Sequence, residues 1–383
     1  MPTLRTTMTI DHFELRDHTR GWSLEGVDFA AFNLLVGLSG AGKTRILRSL
    51  HAVCAIARGR NPALRSCEWQ LTVRAEGIKF EWSATLKERV KSADEEPEAH
   101  FLKEKIVADG EVIVQRTENS VEFKGTPLPQ IKDTESCISI FNRENAIAPL
   151  YNSLGMVKLS EAPGGQPSHR YQIWPDEAKV ENLAELRNNN KLTIVQKAYL
   201  LRRDFPTEFD CVVDEYRAIF GTVSKVLVDT VAKIDPDLAS RSPFSSIGKV
   251  MLTLAIVEDG VERPTCPSDM SSGMLRTLIH LFELALWPEG TVVIVDEYEN
   301  SLGLNCLPAL TACLMRRAGD MQFILTSHHP YVIENIPMES WRVVTRDGSE
   351  VKVAPASAIP GISTRSKQSG FDRLMSSPAF EVG

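Results

Sequence analysis

The sequence lacks the features that mark membrane, secreted and disulfide-rich proteins. It contains no run of about 18 apolar residues, so no transmembrane helix is expected. The N-terminal segment MPTLRTTMTIDHFEL carries no long apolar stretch of the kind found in secretory signals. Seven cysteines are scattered without a CxxC pair, which favours reduced thiols and argues against a zinc site. These absences predict a cytoplasmic protein that works without a membrane partner.

Net charge and sequence repetition do not point to a partner either. The formal net charge is −7, which gives no general attraction to nucleic acid or to an anionic membrane but leaves room for a local basic patch. No internal repeat and no sustained a/d heptad is present, so long coiled-coil arms are not expected. The chain does have 383 residues, of which 43% are apolar and 24% charged, as is ordinary for a soluble globular protein with a real core.

Short apolar strands alternate with amphipathic helices in the first and last parts of the chain. Phe32–Val36 predicts a strand and Ile46–Ala57 predicts a helix. Thr291–Val295 and Gln322–Thr326 are runs typical of buried strands, and a helical face lies between them from Leu304 to Met315. Alternation of this kind predicts an α/β fold with a mostly parallel core sheet covered by helices.

The middle of the chain predicts two further substructures. Glu68–Gly125 alternates apolar and polar residues and predicts an antiparallel β subdomain, in which the charged stretch Lys87–His100 is expected to form a solvated loop. From residue 176 to residue 233 the pattern is helical, including Phe209–Val231, and predicts a helical lobe. Arg342–Val353 predicts a hairpin that turns at an Asp-Gly pair.

The segment Gly37–Thr44 reads GLSGAGKT and fits the phosphate-loop pattern GxxxxGK[ST] without a mismatch. It lies between a predicted strand and a predicted helix, where backbone N–H groups and a helix N-terminus converge on an anion. Lys43 is expected along the β- and γ-phosphates, with the Thr44 hydroxyl on Mg²⁺. The alternative is a glycine-rich turn that carries Lys-Thr by chance. The expected nucleotide-binding residues are Gly37, Ser39, Gly40, Gly42, Lys43 and Thr44.

Two adjacent acids end the predicted strand Val292–Val295. Buried strands rarely end this way for packing reasons, because an unpaired buried charge is costly. Asp296 suits a ligand of Mg²⁺, and Glu297 suits the general base that orients or deprotonates an attacking water. The alternative is a strand that simply runs into solvent, which is less favoured beside a phosphate loop.

Met270–Met274 reads MSSGM and precedes a predicted helix that leads into the acidic strand. It resembles the signature of ABC proteins, whose usual form is LSGGQ. The resemblance implies that Ser271 and the N–H groups near Gly273 bind the γ-phosphate held by another subunit. An ordinary serine N-cap is the alternative.

Two further segments follow in the order of the ABC family. Glu299–Leu302 stands where that family has its D-loop, and Leu325–Pro330 stands where it has its switch histidine. By position the switch is His328 rather than His329. No arginine-finger set for an AAA+ ring and no guanine-reading motif is present. The best candidate for the family's glutamine loop, Phe141–Asn145, contains no glutamine.

The chain resembles the SMC/RecF/OLD branch of ABC-type ATPases and the ATPases of bacterial anti-phage defence systems. The opening strand Ile10–Leu15, the helical region Tyr199–Pro206, the acidic segment Asp296–Leu302 and the Thr-Ser-His-His-Pro segment carry this resemblance. More than 220 residues separate Thr44 from the signature, a longer gap than transporter nucleotide domains usually have.

We therefore expect one ABC-type ATPase domain over residues 1–383. Residues 1–150 are expected to form the P-loop lobe with its β-rich part, and 151–270 a helical lobe or insert. Residues 271–354 carry the signature, the hydrolytic strand and the switch histidine, and 355–383 form a C-terminal tail. The roughly 30 residues after the hairpin leave no room for the Toprim nuclease domain of OLD proteins. Any nuclease or toxin output is therefore expected from a separate effector protein.

The resemblance implies an ATPase that sandwiches ATP between the P-loop of one subunit and the signature of another, in a homodimer or higher oligomer. We expect this assembly to gate the effector in prokaryotic anti-phage defence. One alternative is a RecF-like repair ATPase that binds DNA, for example through Arg58, Arg60 and Arg65. A second is an ATP-dependent scaffold that sequesters a partner. A transporter ATPase is least favoured because of the long insert.

Overall fold

The computed structural model describes residues 8–60, 64–89, 98–160, 171–173, 179–240 and 250–359. The chain divides into two units, one of Met1–Ser160, Glu289–Tyr298 and Ala318–Gly383, the other of Glu161–Pro288 and Glu299–Arg317. The division into four parts that the sequence suggests stays a prediction. Within the described ranges, every helix is too short or too polar to span a bilayer.

Strands predominate in the first third of the described chain, and helices become more frequent after it. The strands are β1 (Thr9–Asp17), β2 (Trp22–Asp28), β3 (Phe32–Val36), β4 (Cys67–Ala75), β5 (Ile78–Arg89), β6 (Glu98–Ala108), β7 (Glu111–Arg116), β8 (Val121–Phe123), β9 (Thr126–Leu128), β10 (Val157–Ser160), β11 (Tyr171–Ile173), β12 (Val223–Thr230), β13 (Met251–Glu258), β14 (Val292–Val295), β15 (Gln322–Thr326), β16 (Trp341–Asp347) and β17 (Glu350–Pro355). The helices are α1 (Lys43–Ile56), α2 (Cys137–Ile140), α3 (Ala148–Leu154), α4 (Leu183–Asn188), α5 (Ile194–Asp204), α6 (Pro206–Ile219), α7 (Val231–Ile234), α8 (Pro236–Ser240), α9 (Ser272–Leu286), α10 (Leu307–Arg317) and α11 (Pro330–Asn335).

A 14-stranded sheet forms the framework of the first unit, in the order β10-β14-β15-β3-β16-β17-β2-β1-β4-β5-β6-β7-β8-β9. From β10 to β16 neighbouring strands run parallel. From β2 through β1 to β9 they run antiparallel. The predicted α/β fold with a mostly parallel core sheet and an antiparallel β subdomain is thus confirmed. Because parallel strands share one carboxyl edge, the segments that follow β3, β14 and β15 meet at that edge.

The parallel strands are central because their residues are apolar almost without interruption. Every residue of β3, β14 and β15 is buried, as expected for strands covered on both faces. Helix α1 packs against β10, β14 and β15, and its residues Ile46, Leu47, Leu50 and Val53 are 0% exposed. Burial of each such side chain contributes about 1.5–3 kcal/mol. This packing holds the N-terminus of α1 beside the carboxyl edge of the sheet.

The prediction of a loop over the charged stretch Lys87–His100 is wrong at both of its ends. Strand β5 continues to Arg89 and β6 begins at Glu98, with Arg89 paired to Glu98 in the ladder. Residues 90–97 lie outside the described part. Lys87, Arg89 and Glu98 are at least partly exposed, so their charge lowers the hydrophobicity of the strands without ending them. The hairpin predicted from Arg342 to Val353 is present as β16 and β17.

The second unit combines helices α4 to α10 with a three-stranded sheet in the order β11-β13-β12. The helical prediction for Phe209–Val231 is wrong in its second half, because α6 ends at Ile219 and Val223–Thr230 is a strand antiparallel to β13. Gly221 interrupts the helical pattern, and Val226 and Val228 are buried at alternate positions. This spacing of β-branched residues fits a pleated strand better than a helix.

Candidate nucleotide-binding site

The predicted phosphate loop connects β3 to α1 in the first unit. Gly40 and Gly42 have φ angles of +85° and +106°, in the left-handed region that glycine adopts without a steric penalty. Gly37 is required for a different reason: a Cβ atom there would lie 2.4 Å from the backbone oxygen of Val344. The glycines of the motif are therefore demanded by the backbone path of the loop and by its close approach to β16.

The side chain of Lys43 lies inside the curve of this loop. The residue is 6% exposed, and its Nζ donates to the carbonyl oxygens of Gly37 at 2.8 Å and Leu38 at 2.9 Å. Because α1 begins at Lys43, the N–H groups of its first turn and its positive dipole end lie at the same loop. An ammonium group beside a helix N-terminus is suited to a phosphate.

The carboxylate of Asp296 joins two segments that are far apart in the sequence. Its Oδ1 accepts a hydrogen bond from Thr44 Oγ1 at 3.0 Å and another from Thr326 Oγ1 at 2.8 Å. Thr44 is the second residue of α1, Asp296 follows β14, and Thr326 ends β15. Mg²⁺ in nucleotide sites takes one or two carboxylates together with phosphate oxygens and water. The neighbouring oxygens of Thr44 and Asp296 therefore fit a Mg²⁺ ion that a bound nucleotide would share.

Glu297, the second acid of the pair, is exposed and has an unusual backbone conformation. Its φ is +49°, in the left-handed region that costs a residue other than glycine about 1–2 kcal/mol. Its N–H donates to Thr326 Oγ1 at 2.7 Å. Sequence reasoning assigned Thr326 no role. The available signal was its position at the carboxyl end of β15, the strand next to β14.

A cavity of about 640 Å³ opens beside the loop and collects most of the predicted site residues of the first unit. The predicted residues that line it are Ser39, Gly40, Gly42, Lys43, Thr44, Asp296, Glu297 and His328. Gly37 is not among the described lining residues, although its carbonyl oxygen accepts from Lys43. The structure thus brings the phosphate loop, the two acids and the histidine to one place.

Four arginines of the cavity wall were not predicted. Arg20 comes from the turn after β1, Arg45 and Arg48 from α1, and Arg346 from β16. Arg346 also donates to the Gly40 oxygen at 3.4 Å. Nothing in the local sequence marks these arginines, since separate segments contribute them. Together with Lys43 they give the cavity a concentration of positive charge that favours a polyphosphate.

The two candidate histidines differ in their surroundings. His328 is exposed and lines the cavity. His329 is partly buried, and its Nδ1 accepts from the N–H of Tyr331 at 3.2 Å as the N-cap of α11. The His329 side chain therefore caps the N-terminus of α11. This geometry favours His328 for contact with a ligand, as sequence position also suggested.

The signature residues belong to the second unit. Ser271 is the N-cap of α9, and its Oγ accepts from the N–H of Met274 at 3.2 Å. Ser271 and Ser272 are exposed. A Cβ on Gly273 would lie 3.2 Å from the N of Gly303 and 3.4 Å from the oxygen of Ser301. The predicted signature and the predicted D-loop segment therefore touch through a glycine that leaves little space for a side chain.

The candidate glutamine loop is not part of the described cavity. Phe141–Asn145 follows α2, and Asn142 Nδ2 donates to the Ser139 oxygen at 2.6 Å. None of its five residues is among the described residues that line the cavity. No contact with the nucleotide site is assigned to this segment.

Part of the chain is similar to a known protein family. Residues 169–334 match a family model described as "AAA domain, putative AbiEii toxin, Type IV TA system". This match includes the signature, the acidic strand and the histidine segment but not the phosphate loop. A search of the curated proteins returns no match.

Three solved structures resemble the chain at low sequence identity. The Smc head bound to the C-terminal winged-helix domain of ScpA has a TM-score of 0.48 and 13% identity, with 90% of this chain and 97% of that chain covered. The Smc head domain of Thermotoga maritima has a TM-score of 0.43 and 12% identity, with 90% and 98% covered. The third structure is the Smc head with an extended coiled coil, bound to the C-terminal domain of ScpA and derived from Pyrococcus furiosus. It has a TM-score of 0.46 and 11% identity, with 91% of this chain and 96% of that chain covered.

The candidate site depends on three neighbouring parallel strands that end at one edge of the sheet. Strand β14 is followed by the two acids, β15 by the histidine and β3 by the phosphate loop. The family match covers two of these three strand ends. Over residues 169–334 the chain is therefore similar to this AAA-domain family, within an α/β fold whose parallel strands carry the candidate site.

Proposed function

We propose that the chain binds and hydrolyses ATP with Mg²⁺ in the cavity beside Gly37–Thr44. The observation that supports this most directly is the cluster of Thr44, Asp296, Thr326 and Glu297 at the mouth of the phosphate loop. A solvent-exposed strand end would not require a hydroxyl from α1 and another from β15 to meet one carboxylate.

The residues of the cavity have different roles in the proposed hydrolysis. Lys43 and the N–H groups of the loop hold the phosphates, and Thr44 and Asp296 hold Mg²⁺. The ion, when bound, neutralises charge on the phosphate oxygens. Glu297 orients or deprotonates the attacking water, and His328 contacts the γ-phosphate. Positioning and charge stabilisation therefore do most of the catalysis.

We extend the proposal to an ATP-dependent assembly in which Ser271 and Gly273 of a second copy close over the nucleotide. In support, Ser271 and Ser272 are exposed at the N-terminus of α9, a 15-residue helix. ATP then belongs to the interface, and removal of its γ-phosphate opens the dimer. The description of the matched family model names a toxin of a toxin–antitoxin system. Gating of a separate nuclease or toxin in the cytoplasm, in anti-phage defence, is the cellular role that we propose.

The particle size of Glu297→Gln protein, measured by light scattering with and without ATP and Mg²⁺, tests this function. We expect ATP to convert monomer to dimer, because binding is retained while turnover is blocked. Lys43→Ala is the control and should stay monomeric in both conditions. An unchanged size with bound ATP would overturn the sandwich, and turnover by the Glu297→Gln protein would overturn the role of Glu297.

A cluster of three cationic residues, Arg58, Arg60 and Lys158, favours DNA binding as a second candidate function. The Arg58 guanidinium lies 3.7 Å above the Tyr151 ring and donates to the Tyr151 oxygen at 2.9 Å. Lys158 donates to the Gly155 oxygen at 3.2 Å, and its pKa is lowered by burial and then by Arg60 and Arg58. Arg65, also considered from the sequence, is instead paired with Glu88 at 2.9 Å.

Duplex DNA binding measured over a series of salt concentrations tests this second function. A steep fall of affinity with salt, made shallower by Arg60→Ala, would support it. A weak affinity that is the same for wild type and Arg60→Ala would exclude a role for the cluster.

A further inference from the structure

Thr326 contacts the side chain of Asp296 and the backbone amides of Glu297 and Tyr298. Its Oγ1 donates to Asp296 Oδ1 at 2.8 Å and accepts from the N–H of Glu297 at 2.7 Å. Its backbone oxygen accepts from the N–H of Tyr298 at 2.9 Å. The residue is 1% exposed. One buried residue of β15 thus holds the side chain of the first acid and the backbone around the second.

The conformation of Glu297 explains why such a support is needed. Its φ of +49° is unfavourable for a residue with a Cβ atom. A strained conformation persists only where surrounding contacts over-determine it. The two amide hydrogen bonds to Thr326 are contacts of this kind, since they fix the peptide groups on both sides of the Glu297 Cα atom.

The direction of the hydroxyl bonds makes threonine specific at this place. A hydroxyl group donates one hydrogen bond and accepts others. Because Thr326 Oγ1 donates to the carboxylate oxygen of Asp296 and accepts from the Glu297 N–H, Thr326 must do both at once. Valine would fill the same volume but would leave the Glu297 N–H without this acceptor and Asp296 with one donor fewer.

We propose that Thr326 is a positioning residue, which holds Glu297 in its left-handed conformation and orients Asp296 toward the metal. This inference rests on the proposed ATPase function for its kinetic consequence, but the contact itself does not. Thr326 acts through its two neighbours. Its loss should therefore lower turnover more than nucleotide binding.

Thr326→Val, Thr326→Ser and a control are the variants for the test. We expect Thr326→Val to lower kcat about 10- to 100-fold, as for other residues that support a metal ligand, with a smaller change in KM for ATP. Thr326→Ser keeps the hydroxyl and should restore turnover. The control is Thr311→Val on α10, because Thr311 is 4% exposed and its hydroxyl has no hydrogen-bond partner among the described residues.

Amide hydrogen exchange of the peptide that contains Glu297 and Tyr298, measured without nucleotide, gives a readout independent of catalysis. We expect the peptide to exchange faster in Thr326→Val than in wild type. Thr326→Ser and Thr311→Val should exchange at the wild-type rate. Unchanged exchange in folded Thr326→Val protein would overturn the proposal, as would a kcat equal to that of wild type. If wild type itself hydrolysed no ATP, the proposed function would fail, and exchange alone would decide the role of Thr326.

Discussion

The hydroxyl of Thr44 lies 3.0 Å from Oδ1 of Asp296, although the two residues are 252 positions apart in the chain. Only β15 separates β3 from β14 in the sheet, so the segments after these two strands reach the same edge. The contact places a neutral oxygen donor beside a carboxylate at the opening of the phosphate loop. A metal that bridges protein and phosphate would find both ligands already in position.

Thr44→Val should therefore weaken ATP binding in the presence of Mg²⁺, by about tenfold, and leave metal-free binding almost unchanged. Valine keeps the volume of the side chain but removes the oxygen. Titration calorimetry with Mg²⁺ and with EDTA measures both affinities. Thr44→Ser is the matched control and should bind as wild type. Equal losses with and without Mg²⁺ would show that Thr44 does not act through the metal.

Gly37→Ala tests the packing of the phosphate loop against β16. A Cβ atom at this position would lie 2.4 Å from the Val344 oxygen, so the loop or the strand must shift. We expect the free energy of unfolding to fall by about 1–3 kcal/mol, the usual cost of overpacking, and ATP affinity to fall with it. Urea denaturation measures the first effect. Gly221→Ala is the control, since a Cβ there meets no atom within 4 Å; equal stability of the two variants would contradict the close approach.

His12 should make the stability of the first unit depend on pH. Burial lowers its pKa, but hydrogen bonds and charges of Asp28 and Glu14 outweigh burial, and the net pKa is raised above 6.5. The distances from His12 are 2.6 Å to Asp28 and 2.9 Å to Glu14. A raised pKa in the folded state stabilises the fold fully below the unfolded value, and this stabilisation is lost as pH rises through the folded value.

We therefore expect wild type to exceed His12→Ala in unfolding free energy by more at about pH 5 than at about pH 9. Urea denaturation at the two values measures this difference. Asp28→Asn removes the strongest partner of His12 and should reduce the pH dependence. A difference that is the same at both pH values would contradict the prediction.

Local sequence was sufficient for the elements whose residues determine their own conformation. The motif at Gly37–Thr44 contains its glycines because the loop needs left-handed φ angles and close packing, so the pattern and the geometry imply each other. The apolar runs of β14 and β15 indicate buried parallel strands for a similar reason. Glu297 and His328 could be named from their places after such strands.

Local sequence failed where a long-range partner decides the outcome. Val223–Thr230 continues a helical-looking region, but its pairing with β13 makes it a strand. Lys87–Arg89 is charged on its exposed side, and pairing with β6 keeps it in the sheet. In both cases the hydrogen bonds of a distant strand outweigh a weak local preference.

The sequence by itself was enough to predict the kind of site that we propose, because glycines, a lysine and paired acids at fixed spacing next to apolar strands suit few structures other than a phosphate loop with its hydrolytic strand. Only the tertiary structure decided which residues support that site. Thr326, Arg20 and Arg346 come from three separate segments, and no short-range pattern links residues that meet only when the strands of the sheet are placed side by side.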